Sequence, residues 1–170
     1  MLRPMAFKLP ESVLVVVYTP RLDVLLLERT GSGLWQSVTG SREPDDPDLE
    51  ATARRELLEE TGLTVGTLTD WRQTNRYEIW AQWRGRYAPD VTHNVEHVFG
   101  LQVAARFTPQ LAPREHRAWR WLAWRDAADA CADQRTLATF GGIATTEQAC
   151  DGTDAGADQR TIAGAVGIVR

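Results

Sequence analysis

The hydrophobic residues of this chain fall into short runs separated by polar breaks, with one longer stretch between them. Residues 12–18 and 24–28 are rich in valine and leucine and are separated by the polar segment 19–23. This pattern predicts two strands joined by a turn. Residues 34–39 form a further short apolar run, which predicts a third strand that ends at Gly40.

A helix is predicted after these strands. The acidic segment 45–48 supplies an aspartate cap, with Pro47 at the first helical position. The helix is expected to run to about Thr61, because Gly62 then allows the left-handed conformation that ends many helices.

The remaining elements are two longer strands, a shorter strand and a second helix. The strands are expected over residues 73–80, 94–104 and 118–122, with a loop at 84–90, and the helix from Arg125 onwards. Strands before and after one strong helix indicate an α/β (α+β) sandwich in a single domain, residues 1–140.

Residues 141–170 differ from the rest of the chain. They lack aromatic residues, are rich in Gly, Ala, Thr and Asp, and repeat at 157–161 the sequence ADQRT of residues 132–136. One pair of copies is too little for a solenoid. We therefore interpret this segment as a small duplication or a loosely ordered extension.

Composition narrows the class of protein. The chain of 170 residues is 43% hydrophobic and 25% charged, which is typical of a soluble globular domain. A net charge of −4 argues against general binding to nucleic acid or acidic membranes. The two cysteines form no C-x-x-C pair, and no early apolar run is long enough for a signal peptide or a membrane span. We expect a cytoplasmic protein, a monomer or a small homo-oligomer.

The predicted helix carries the candidate chemistry. Successive residues advance by about 100°, so Glu56 and Glu60 lie within roughly 40° of one another, in the same sector as Ala53 and Leu57. Two carboxylates on a buried face repel each other, and a divalent cation such as Mg²⁺ removes that cost. Glu59 lies at the edge of this sector, where it can serve as a third metal ligand or hydrogen-bond a metal-bound water. The alternative is an ordinary solvated helix face, with Arg55 paired to Glu59.

The residues around these glutamates resemble the Nudix box. Gly40 is followed by the segment R-E-L-L-E-E-T-G-L of residues 55–63, which matches the second half of that signature at every specified position. The first half departs from it. Its acid is Asp46 instead of Glu, and one extra residue separates this acid from Arg55, which indicates an insertion in the loop near Pro47.

The resemblance implies a mixed sheet sandwiched between helices and Mg²⁺-dependent hydrolysis of a phosphoanhydride, with Mn²⁺ able to substitute. Three further segments, residues 34–41, 86–94 and 115–122, resemble one Nudix subfamily, the bacterial dihydroneopterin triphosphate diphosphatases. The likeness covers roughly residues 8–140.

The resemblance also implies roles for individual residues. Glu56, Glu60 and a late acid, Glu115, would hold metal with help from Glu59, and Glu59, Glu60 or Glu115 would serve catalysis. Phosphate contacts are expected from Lys8 and Arg29, with Thr39 and Gly40 at the mouth of the site.

Residues 77–80 would face the pterin. There an aromatic surface from Tyr77 and Trp80 would stack on the ring, and Glu78 would accept its hydrogen bonds. The alternatives are that Tyr77 and Trp80 are core aromatics and that Arg29 is a solvated charge. The three histidines are expected to be hydrogen-bonded or exposed, and Asp45, Asp46 and Asp48 to cap the helix.

The leading hypothesis is hydrolysis of dihydroneopterin triphosphate to the monophosphate and pyrophosphate. A (d)NTP pyrophosphatase is the second, and a Nudix-like domain that binds a ligand and regulates a partner without catalysis is the third.

Overall fold

The computed structural model describes residues 7–139, and of residues 132–139 only the helical backbone. The strands of this part of the chain are β1 (Glu11–Tyr18), β2 (Asp23–Arg29), β3 (Trp35–Gln36), β4 (Val38–Ser41), β5 (Thr67–Glu78), β6 (His93–Gln102) and β7 (His116–Ala123). The helices are α1 (Leu49–Thr61) and α2 (Trp124–Thr139), with a 3-10 helix at Ala81–Arg86. The predicted boundary at residue 140 and the tail 141–170 lie outside the described residues.

The strands form one mixed sheet around β1. β1 pairs in parallel with β6 along its whole length, and β6 pairs antiparallel with β5. On its other edge β1 pairs with β4 over Ser12–Val15 and with β2 only at Tyr18. β2 is antiparallel to both β3 and β7. β1 therefore changes partner from β4 to β2 along this edge.

Each face of the sheet is covered by a helix. On one face Ala53 and Leu57 of α1 pack with residues such as Val13 and Val15. On the other face Ala127 of α2 packs with the alternate β1 residues, Leu14 and Val16 among them. β1 is apolar on both faces because both faces are buried. The expected sandwich of a mixed sheet between helices is thus confirmed.

β5 begins at Thr67, six residues before the predicted start of that strand, and the 3-10 helix Ala81–Arg86 overlaps the loop predicted at residues 84–90. Two further differences lie next to α1. The expected single strand at residues 34–39 is two strands, because β3 pairs with β2 and β4 pairs with β1. Gly40 is therefore inside β4 instead of ending a strand. α1 begins at Leu49 with Asp48 as its cap, whose carboxylate accepts a hydrogen bond from the backbone N–H of Ala51 at 2.8 Å. Pro47 precedes the cap and is not helical.

Among residues 7–139, no helix combines the length and the hydropathy needed to cross a membrane.

Candidate active site

The glutamates of α1 differ sharply in exposure. Glu56 and Glu60 are 8% and 1% exposed, whereas the side chain of Glu59 is 55% exposed. Ala53 and Leu57, on the same side of the helix, belong to the core. The predicted placement of Glu56 and Glu60 on the buried face is confirmed. The alternative of an ordinary solvated face is wrong for these two residues, although the pair of Arg55 and Glu59 that it included is present at 3.4 Å.

Glu56 lies directly over Gly40 of β4. A Cβ atom at Gly40 would lie 1.7 Å from the Cδ atom of Glu56, so only glycine leaves room for this carboxyl group. Arg55 donates a hydrogen bond to Glu56 at 2.7 Å. Burial raises the pKa of Glu56 to about 7 although Arg55 opposes the shift. The charge on Glu56 is therefore costly in the metal-free protein.

Glu60 meets two residues from the start of β7. Glu115 immediately precedes β7, and His116 is its first residue. The Nε2 atom of His116 lies 3.2 Å from the Oε2 atom of Glu60, and both side chains are buried. One ligand atom from each of Glu60, Glu115 and His116 lies within 4.8 Å of the other two. The cluster therefore combines two carboxylates and an imidazole.

The polar atoms of this cluster indicate a cation site. Within the described part of the chain, neither the carboxylate oxygens of Glu60 nor the ring nitrogens of His116 make a well-oriented hydrogen bond, although His116 and the backbone N–H of Thr39 lie near the carboxylate. Burial raises the pKa of the Glu60 carboxyl, an effect that His116 partly opposes. Buried polar atoms without partners are rare because they lose the hydrogen bonds of water. A divalent cation held by Glu60 and Glu115 would remove this cost, so the residues of the cluster fit a divalent metal ion.

His116 was missed by the sequence interpretation, which expected all three histidines to be hydrogen-bonded or exposed. The structure buries His116 against Glu60 instead. The only local signal was its position beside Glu115 at the start of an alternating strand. Its contact with Glu60 depends on the packing of β7 against β2, where His116 lies opposite Arg29.

Asp46 holds the loop that precedes α1. Its two carboxylate oxygens accept hydrogen bonds from Arg55 at 2.9 and 3.2 Å, and Oδ2 also accepts from Thr52 and from the backbone of Glu43. Arg55 keeps the pKa of Asp46 well below its ordinary value. The expectation that Asp46 caps the helix is wrong, since Asp48 is the cap. The shorter acid and the inserted residue still allow the contact with Arg55 that holds this loop.

The residues expected at the phosphates lie in or beside β4 and at the end of β2. The ammonium group of Lys8 donates to the hydroxyl of Ser41 at 3.0 Å, and the backbone carbonyl of Ser41 accepts from Arg55 at 2.9 Å. Arg29 ends β2 beside the Glu115–His116 segment. Thr39 is buried, and its hydroxyl accepts a hydrogen bond from Gln36 at 3.2 Å.

The residues expected at the pterin are not brought together. Tyr77 is partly buried, and its hydroxyl accepts a hydrogen bond from Asn94 at 2.9 Å. Glu78 follows it in β5 and so points to the opposite face, where it is exposed and pairs with Arg84 at 2.6 Å. Trp80 lies beyond the end of β5 and is 56% exposed, so it is not a core aromatic. Glu78 and Tyr77 therefore do not share one surface.

Another row of polar residues shares the face of Tyr77, and the sequence interpretation missed it. Asn94 and Glu96 of β6 are buried, four and two residues respectively before Val98, a core residue on the side of α2. Asn75 of β5 donates to Glu96 at 3.3 Å, and Asn94 also donates to Ser12 at 2.7 Å. Polar residues at alternate positions of an otherwise apolar strand were the available signal.

Comparison with known proteins agrees with this geometry. A family model described as the NUDIX domain matches residues 8–140, and the chain belongs to the Nudix family. The chain is 38% identical to the dihydroneopterin triphosphate diphosphatase of Haemophilus influenzae over 74% of its own length and 81% of that protein. It is 41% identical to the Escherichia coli K12 protein of the same name, over 68% of this chain and 79% of that one. The solved structure of the E. coli dihydroneopterin triphosphate pyrophosphohydrolase superimposes with a TM-score of 0.63 and 38% identity, covering 74% of this chain and 86% of the other.

Proposed function

We propose that this protein hydrolyses dihydroneopterin triphosphate to dihydroneopterin monophosphate and pyrophosphate, with Mg²⁺ as its cation. The proposal is carried by one observation: a carboxylate oxygen of Glu60, in α1, lies close to one of Glu115, immediately before β7. The substrate class follows from relatives at 38% and 41% identity that bear the name of this activity.

In the reaction one water molecule cleaves a phosphoanhydride bond. The water oxygen forms a bond to phosphorus, the bridging P–O bond breaks, and pyrophosphate carries away the displaced oxygen. A bound divalent cation neutralises phosphate charge and lowers the pKa of bound water. Glu56, Glu60 and Glu115 would hold that cation, and the exposed carboxylate of Glu59 or Glu115 would accept the proton of the water.

Other residues of the chain would bind and orient the substrate. Lys8, beside Ser41, and Arg29, beside the Glu115–His116 segment, would contact the phosphates. Tyr77 would contact the pterin ring. Glu78 is exposed near the end of β5 and would accept hydrogen bonds from the ring in place of its pair with Arg84.

A substrate panel tests the proposal. Protein with Mg²⁺ is incubated with dihydroneopterin triphosphate, dNTPs, NADH and a dinucleoside polyphosphate, and pyrophosphate and orthophosphate are measured separately, with EDTA as a control. Pyrophosphate release from the pterin alone, abolished by EDTA, is expected. Equal turnover of the dNTPs would favour the (d)NTP pyrophosphatase, and inactivity on every substrate would favour the non-catalytic regulator.

Glu60→Gln tests the site within that assay. The substitution removes the charge but little volume, so turnover should fall by roughly 10²-fold or more while the fold is retained. Glu50→Gln is the matched control, since Glu50 lies on the same helix but is exposed and pairs with Arg54. Near-normal Mg²⁺-dependent turnover in Glu60→Gln would remove Glu60 from the metal site.

A further inference from the structure

The imidazole of His116 faces the carboxylate of Glu60 in a way that a simple hydrogen bond does not explain. Nε2 of His116 and Oε2 of Glu60 are 3.2 Å apart, yet they are not oriented as donor and acceptor. Among residues 7–131, neither the ring nitrogens of His116 nor the oxygens of Glu60 make a well-oriented hydrogen bond, although the backbone N–H of Thr39 also lies near the Glu60 carboxylate. The two side chains are 1% exposed, so water does not supply the missing partners readily.

The spacing of these atoms suits two ligands of one ion. Nitrogen and oxygen ligands lie about 2.0–2.2 Å from a divalent transition metal, so two neighbouring ligands are about 3 Å apart. The observed 3.2 Å separation has this size. Glu115 supplies the third ligand atom, within 4.8 Å of the other two, and its exposure leaves that side of the cluster open to substrate and water.

We propose that His116 is a nitrogen ligand of the cation held by Glu60 and Glu115, which strengthens the binding of Mn²⁺ relative to Mg²⁺ at this position without excluding Mg²⁺. Mg²⁺ is a hard ion that prefers oxygen, whereas imidazole is a good ligand for first-row transition metals. Glu56 faces Gly40 and Arg55 and supplies only oxygen to the site. The proposal deepens the proposed function by assigning the chemistry of the metal position, but the binding of the ion needs no substrate.

Pulsed electron paramagnetic resonance of Mn²⁺ bound to the full chain tests the ligand directly. A nitrogen atom bonded to Mn²⁺ modulates the electron spin echo, and this modulation is expected for the wild-type protein without substrate. It should disappear in His116→Gln and remain in His93→Gln, whose imidazole contacts Thr92 instead of the cluster. Bound Mn²⁺ without directly coordinated nitrogen in the wild-type protein would overturn the proposal, whatever the variants do.

Competition between Mn²⁺ and Mg²⁺ provides a second readout. His116→Gln should reduce the preference for Mn²⁺ over Mg²⁺ by about tenfold, because it removes the nitrogen ligand and leaves both carboxylates. A preference equal to that of the wild-type protein would contradict the proposal. If the enzyme hydrolyses the pterin substrate but shows no nitrogen modulation, only the assignment of His116 is refuted. If nitrogen modulation is present but the protein does not hydrolyse the pterin, only the proposed substrate is refuted.

Discussion

At the scale of single residues, the carboxyl group of Glu56 depends on the absence of a side chain at Gly40. The carboxyl carbon of Glu56 occupies the position where a Cβ atom of residue 40 would point. This contact links the first residue of the Nudix signature to its first helix glutamate. It gives Gly40 a role in shaping the site in addition to the role at its mouth that the sequence predicted.

Gly40→Ala should therefore inactivate the enzyme with little loss of stability. The added methyl group forces the flexible end of Glu56 to move, which displaces a proposed metal ligand while the backbone of β4 stays paired with β1. Turnover and Mn²⁺ affinity are expected to fall at least about tenfold, with a small change in melting temperature. Gly85→Ala is the control, because a Cβ atom at Gly85 meets nothing within 4 Å. Wild-type metal affinity in Gly40→Ala would contradict the assigned contact.

The buried charge of Glu56 should also appear in the pH dependence of stability. Its pKa is raised to about 7 in the folded protein, mainly by burial, from an ordinary value of 4.5. The folded state therefore binds the proton more tightly than the unfolded state. The stabilisation is complete below about pH 4.5 and is lost as the pH rises through about 7.

In EDTA-treated protein, the free energy of unfolding should fall by about 3 kcal/mol between these two pH values through Glu56. Chemical denaturation across this range measures the loss. Saturating Mg²⁺ should reduce this loss of stability, because the cation favours the ionised carboxylates. The unfolding free energy of Glu56→Gln should depend less steeply on pH than that of Glu50→Gln. An unfolding free energy of metal-free protein that rises from pH 4.5 to 7 would refute the buried, raised-pKa description of Glu56.

At the scale of the elements, α1 and the loop before it are joined by the pair of Asp46 and Arg55. Arg55 also donates to the backbone carbonyl of Ser41 in β4, so it connects the loop, the helix and the sheet. The inserted residue near Pro47 is accommodated because Asp46 reaches Arg55 and Thr52 from its own position in the loop. The loop thereby keeps α1 over Gly40 and its glutamates on the buried side.

Asp46→Asn should loosen this connection. Removing a charged hydrogen-bond partner of a half-buried arginine is expected to cost about 1–3 kcal/mol of stability and to lower turnover, because Arg55 and then Glu56 lose their fixed positions. The pKa of Asp46 is lowered in the folded protein, so its contribution is present above about pH 3.8 and should be lost as the pH falls below it. Urea denaturation at neutral and acidic pH measures both effects. Asp45→Asn is the control, and equal stability of the two variants would argue against the role of Asp46.

At the scale of the whole molecule, the sandwich of sheet and helices is complete without the tail. The Nudix match ends at residue 140, and both faces of the sheet are covered by α1 and α2 within the described residues. We predict that residues 1–140 form the catalytic domain and that residues 141–170 are not needed for the reaction.

Chains ending at Phe140 and at Gln148 should therefore retain measurable hydrolysis of the pterin substrate. Activity is compared with that of the full chain at equal concentration, and circular dichroism checks that each shortened chain is folded. Complete loss of activity in a folded, shortened chain would show that the tail contributes to the site or to an interface between copies.

Features that depend on local periodicity could be predicted from the amino-acid sequence alone. Helical spacing places Glu56 and Glu60 on one side of α1, Gly62 ends that helix in the left-handed region with a φ of 72°, and the apolar runs gave the central strands. These features depend on backbone geometry within a few residues. The Nudix resemblance then added Glu115, Lys8 and Arg29 by their position in the family pattern.

Contacts between residues far apart in the chain could not be predicted in this way. The burial of His116 against Glu60 depends on β7 lying beside β2, and the split of residues 34–39 into β3 and β4 depends on which strand each half pairs with. The register of β5 and β6 places Glu78 on the opposite face from Tyr77 and places Glu96 on the same face as Tyr77. Strand pairing joins residues far apart in the chain, and a shift of one residue moves every side chain to the other face, so the local pattern could not fix these contacts.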